Sequence, residues 1–207
     1  NRHAIIRKLP AVETLGSATV ICSDKTGTLT ENQMTVQQIY VGGENYQVSG
    51  SGYTPEGEIS SADQAINLAD HPMLIECLQG GMLCNDSHLI QEENTWKIVG
   101  DPTEGALIVS ARKAGFTLAE LEAEMPRQDV IPFESEYQYM ATLHESSDRQ
   151  QLVIYVKGSV EAIVSRCDQM LDSDGQVIPV DAAEIHQQAE TMAASGLRVL
   201  AIAKKPT

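Results

Sequence analysis

Aromatic side chains are scarce in this chain of 207 residues: two Phe, one Trp and six Tyr, 4% of the total. A core must then be mainly aliphatic, and a hydrophobic content of 42% is enough to build one. Bases are scarce too, with 14 Lys and Arg against 29 Asp and Glu, a formal charge of -15. Such a surface excludes nucleic acid and anionic lipid as natural partners. It leaves phosphate ligands open, because phosphate sites rely on local backbone N–H groups, a lysine or a metal. No apolar run reaches the roughly 18 residues that a membrane-spanning helix needs. The opening residues Asn1 to Lys8 lead into no long apolar stretch, so they do not read as a signal peptide. The lack of an initiator Met reads as a piece of a longer chain. The cysteines, Cys22, Cys77, Cys84 and Cys167, form no C-x-x-C pair. A zinc site or disulfide frame is not expected, and reduced thiols are.

What is present divides unevenly. Thr19-Val20-Ile21-Cys22 reads as a buried strand ending in the polar loop Ser23 to Thr30. Residues 34–48 read as a hairpin about Gly42-Gly43, and 49–63 as a surface loop rich in Ser, Gly and Pro. Helices are expected from Pro72 to Cys84, after the Asp101-Pro102 start, after Thr117, after Lys157-Gly158-Ser159, and from Asp181 to Gly196. Strands are expected at 96–99, 130–133, 139–144, 152–156 and 197–203. The order is that of an α+β fold, a mostly antiparallel sheet with flanking helices. Residues 1–33 stand apart as a partial α/β segment, one strand and its loop, and 34–207 as the main domain.

Asp24, at the carboxyl end of a strand, is placed for chemistry. A carboxylate can attack a phosphoryl group and form an acyl phosphate, with Lys25 and Mg²⁺ supplying positive charge. The alternative is a solvated turn between two elements. The run Asp24-Lys25-Thr26-Gly27-Thr28-Leu29-Thr30 resembles, residue for residue, the phosphorylation signature of the P-type cation-transporting ATPases. Leu9 to Gly16 before it and Asn32 to Val36 after it are also similar to that family. The resemblance implies that Asp24 accepts the γ-phosphate of ATP. It also implies that Asp24 and the Thr26 carbonyl bind Mg²⁺, and that Lys25 and Thr26 help to hold the phosphate.

Gly100-Asp101-Pro102-Thr103-Glu104-Gly105-Ala106-Leu107 resembles a helix start of the nucleotide-binding domain in calcium-pump-like members. Glu104 would face adenosine; it is equally the expected capping-box acid. Lys157-Gly158, with Ser159 following, is similar to the family's adenine-pocket element, the glycine admitting close backbone approach. A solvated lysine at a strand end is the plainer reading. Phe133 resembles the phenylalanine that stacks on adenine, although it could simply fill the core. Arg198 resembles an arginine that reaches the nucleotide phosphates, or is a surface residue. Ser135 and Gln138 depart from the pattern, standing where the family often has an arginine and a lysine. His71-Pro72 resembles the His-Pro pair of heavy-metal pumps, but Pro72 at a first helical turn explains it without a ligand.

The resemblance implies the ATP-binding cytoplasmic part of a multi-pass, ATP-driven cation pump that is calcium-like. Its partners would be ATP, Mg²⁺ and the pump's own phosphorylation, actuator and membrane domains. The isolated piece is expected to bind ATP and not to turn it over. Two rivals remain. A haloacid dehalogenase-type phosphatase or mutase would want an Asp where Thr26 stands, and a non-catalytic nucleotide-binding module would not need Asp24.

Overall fold

The computed structural model describes residues 19–20, 22–24, 30–146 and 150–207. The chain divides into two compact units, Asn1–Asn32 and Gln33–Thr207. In the first, residues 19, 20 and 22–24 are exposed and form no strand, contrary to the expectation for Thr19–Cys22. A strand needs a hydrogen-bonded neighbour, and no described strand pairs with these residues.

The second unit is α+β, and every recorded strand pairing in it is antiparallel. Its strands are β1 (Gln38–Val41), β2 (Glu44–Val48), β3 (Ile59–Ser61), β4 (Gln64–Ala65), β5 (His88–Glu92), β6 (Thr95–Val99), β7 (Arg127–Glu134), β8 (Tyr139–Glu145), β9 (Leu152–Gly158), β10 (Gln169–Leu171), β11 (Val177–Pro179) and β12 (Ala201–Pro206). The helices are α1 (Pro72–Leu83), α2 (Pro102–Lys113), α3 (Leu118–Glu124), α4 (Val160–Val164) and α5 (Ala182–Ala194). One sheet has the order β12-β9-β8-β7 and another β1-β2-β3-β4; β5-β6 and β10-β11 are two-stranded.

Residues opposite one another in an antiparallel pair share a sheet face. The register Met140–Lys157–Ile202 therefore puts these three on one face of the main sheet. Helix α1 lies on that face, close enough that a Cβ on Gly80 would come within 2.9 Å of the Tyr155 ring. Glu76 of α1 accepts from Tyr155 Oη at 2.7 Å and pairs with Lys204 at 2.7 Å, tying the helix to β9 and β12. Leu74, Leu78, Met82, Leu83 and Cys84 are buried in one cluster with Met140, Tyr155, Ile108 of α2, and Ile39, Tyr46, Val48 and Ile59 from the β1–β3 sheet.

The helix starts follow from their side chains. Asp101 accepts from the Thr103 and Glu104 amides and Thr117 from the Glu120 amide, while Asp181 accepts from the Glu184 amide. The last strand begins at Ala201, four residues later than the apolar run suggests, because residues 197–200 join α5 to the sheet without pairing.

His144 of β8 is buried, with 1% of its surface exposed. Its Nδ1 lies 3.0 Å from the Met125 carbonyl oxygen, and its Nε2 has no partner among the described residues. Burial pushes its pKa down, and Arg127 adds to this; the Met125 hydrogen bond and the Glu122 charge oppose it. Tyr155 packs edge-on at 5.9 Å. In the unfolded chain the imidazole takes a proton near pH 6.5, whereas in the folded chain it does so only at lower pH. Stability is then whole above about pH 6.5 and is lost as pH falls from there towards the folded pKa, by about 1.4 kcal/mol per pH unit. Urea unfolding of the wild type and His144→Gln between pH 7.5 and 5 should show a steeper decline in the wild type.

Candidate functional site

Helix α2 begins beside the end of β9, and this brings two of the candidate residues together. Lys157 Nζ lies 2.7 Å from Glu104 Oε1. Only 7% of the lysine side chain and 16% of the glutamate side chain are exposed. The plain reading of Lys157 as a solvated strand-end lysine is therefore excluded. So is the capping-box geometry of Glu104, whose carboxylate does not return to the Asp101 amide. That amide is satisfied by Ser87 Oγ at 2.9 Å. Freed from capping, the second glutamate oxygen accepts from Ser87 Oγ at 2.8 Å and from the Asp86 amide at 3.3 Å.

The short segment after α1 thus carries functional candidates that were not anticipated. Asn85 donates to the Gly81 and Glu104 carbonyls and accepts from the Ser87 amide at 2.9 Å. Asp86 pairs with Arg127 at 2.7 Å. The available signal was a polar Asn-Asp-Ser run directly after an apolar helix, of which Asn85 and Ser87 are buried. Buried polar side chains at such a junction must find partners.

Two glycines make the packing possible. A Cβ on Gly105 would sit 2.5 Å from Ile98, so α2 meets β6 without a side chain between them. A Cβ on Gly158 would lie 2.3 Å from the Gln138 carbonyl oxygen. The close approach that Gly158 permits here is to the chain's own backbone. Gln138, at a positive φ of 59°, accepts from the Ser159 amide through its carbonyl. The Ser159 hydroxyl donates to its side-chain oxygen at 3.2 Å. Gln138 is thus engaged in the turn that leads into α4.

Phe133 does not fill the core: 54% of it is exposed. It lies on the edge strand β7, where residues 128–134 are all exposed. The register with β8 shifts between Ile131 and Glu134, marking a bulge that contains Pro132 and Phe133. Proline lacks an N–H and is tolerated at an edge bulge, and a bulge re-aims its side chains. Phe133 and Lys157 come from β7 and β9, the strands on either side of β8.

Arg198 is exposed. Its charge bears on Asp101: burial pushes that carboxyl up, and bonds from Thr103 and Glu104 with the Arg198 charge outweigh it, leaving the pKa below the ordinary aspartate value. Asp24 is exposed, and its carbonyl accepts from Ser23 Oγ at 3.2 Å. Lys25 and Thr26, the remaining candidates for phosphate and metal, lie outside the described residues. His71 sits at the N-cap of α1, where its ring contacts Tyr46 edge-on and its Nδ1 lies 3.5 Å from Glu44. No group of three or more His, Cys, Asp or Glu arranged to hold a metal occurs among the described residues.

The α+β fold, an antiparallel sheet with helices packed on it, agrees with the comparison with known families. Residues 73–207 match the family model described as P-type ATPase, cytoplasmic domain N. The chain is 59% identical to the cation-transporting ATPase pma1 of Synechocystis sp. over 209 residues, covering 99% of the chain and 23% of that protein. It is 46% identical to a probable cation-transporting ATPase F of Mycobacterium tuberculosis, covering 97% of the chain and 22% of that protein. It is 37% identical to a calcium-transporting ATPase of Bacillus subtilis, covering 99% of the chain and 23% of that protein. The chain belongs to the P-type cation ATPase family and contains its cytoplasmic domain N. It spans about a quarter of the length of these relatives.

Proposed function

We propose that this chain is the ATP-binding part of a cation pump that works through an aspartyl phosphate, with Asp24 as the phosphorylated residue. The observation that carries the nucleotide half is the buried pairing of Lys157 with Glu104 on a sheet whose edge strand, one strand beyond β8, bears the exposed Phe133. A desolvated ammonium is a strong partner for a polar ligand atom, and an exposed ring in a bulge offers its π-face to a base. Residues 1–33 contribute the phosphorylation loop and 34–207 the nucleotide-binding domain. In that loop Asp24 and Thr26 would hold Mg²⁺, and Lys25 the phosphate. Arg198 would reach towards the phosphates. The pump's own phosphorylation, actuator and membrane domains are the partners, and the unit faces the cytoplasm. A calcium-like cargo is the reading that the Gly100 to Leu107 motif favours.

Titration of the 207-residue chain with ATP, followed by NMR or calorimetry, tests the nucleotide half. Saturable binding is expected in the millimolar range or tighter. Base stacking contributes about 1–3 kcal/mol, so Phe133→Ala should weaken binding roughly 5- to 150-fold. Its stability should move by no more than about 0.5 kcal/mol, because the ring is exposed. No binding up to about 10 mM would overturn the assignment.

A further inference from the structure

Ser87 lies outside the motifs on which the family resemblance rests, yet its hydroxyl stands at the centre of the polar cluster. The oxygen accepts from the Asp101 amide at 2.9 Å, which leaves its proton for Glu104 Oε2 at 2.8 Å. The residue is 1% exposed. Its backbone is fixed in turn by Asn85 Oδ1, which accepts from the Ser87 amide at 2.9 Å. Gly100 gives it room: a Cβ there would lie 2.1 Å from Ser87 Oγ, and the glycine has a φ of +130°. The opposite glutamate oxygen holds Lys157 at 2.7 Å.

We propose that Ser87 is a positioning residue of the nucleotide site, acting through Glu104 to fix the Lys157 ammonium at the end of β9. This rests on the reading of Lys157 as a ligand-binding group. A glutamate held by one partner can swing about its χ angles, and the lysine that follows it is long and flexible. With Ser87 and the Asp86 amide on one oxygen, the carboxylate has a single orientation, and so has the ammonium. Binding sites depend on such supporting contacts for their geometry. Ser87 touches no ligand in this scheme.

The test is a double-mutant cycle in the 207-residue chain, with ATP affinity and urea stability measured for the wild type, Ser87→Ala, Glu104→Gln and the double variant. Losing one hydrogen bond to a charged group should weaken ATP binding about tenfold in Ser87→Ala. Within the Glu104→Gln background the same change should alter affinity less than about twofold, although it still lowers stability through the Asp101 amide. That split between binding and stability is what a purely structural role would not give. Equal losses of affinity in both backgrounds, or none in the wild type, would overturn the proposal while leaving the Lys157 reading intact. Absence of ATP binding by the wild type would overturn both. Should Ser87→Ala fail to fold, Ser87→Cys keeps a side chain there with a weaker donor; it should bind ATP less well than the wild type, and unchanged affinity would overturn the proposal.

Discussion

Lys157→Ala is expected to destabilise the chain by about 3 kcal/mol and, separately, to remove ATP binding. The stability loss comes from Glu104, which would be left largely buried without its cation. Breaking a buried pair from one side costs about 3–5 kcal/mol, and the lower end applies because Ser87 and the Asp86 amide still hold one oxygen. For a domain of this size the melting temperature should fall by roughly 6–12 °C. The double variant Glu104→Gln with Lys157→Met separates the two effects. It removes both charges and keeps the volume, and such replacements are often neutral or stabilising. Its melting temperature should return to within a few degrees of the wild type, while ATP binding stays lost. Recovery of ATP binding in the double variant would mean that the pair is purely structural.

Asp24→Asn should abolish the phosphoenzyme in the full-length protein. An amide has no nucleophilic oxygen with which to form an acyl phosphate. With γ-labelled ATP, the wild type should incorporate acid-stable label and the variant none above background. A wild type that binds ATP and takes up no label would instead be a non-catalytic nucleotide-binding module.

Local features were readable in the sequence where a local cause decides them. Asp101, Thr117 and Asp181 cap the helices that follow them, and Pro72 and Pro102 open theirs. Glu104 shows the limit of such reading. Its spacing from Asp101 fits a capping box, but a lysine 53 residues away in sequence claims the carboxylate. Ser87 was invisible for the same reason, since its role depends on Asp101 and Glu104 from another element. The strand β5 is not legible in the sequence, because His88, Gln91 and Glu92 are exposed and dilute its apolar signal. Phe133 could be read as core or as ligand from sequence alone. Only the edge position of β7 and its bulge decide that it is exposed. At the strand expected over Thr19–Cys22, the described residues 19, 20 and 22 show none, because no described strand lies beside them to pair with.

The packing of α1 on the main sheet has a consequence for biosynthesis. The helix ends at Leu83, and while β1–β3 precede it, the side of it that meets the main sheet is covered by strands that are not complete until Gly158 and Pro206. At a ribosomal rate of about 5–20 residues per second, that side stays uncovered for several seconds after the helix is made. Leu74, Leu78, Met82 and Leu83 are then a natural recognition stretch for nascent-chain chaperones. The glycines at 80 and 81, which later admit Tyr155 and Ile202, leave the emerging helix weak until the sheet arrives to hold it.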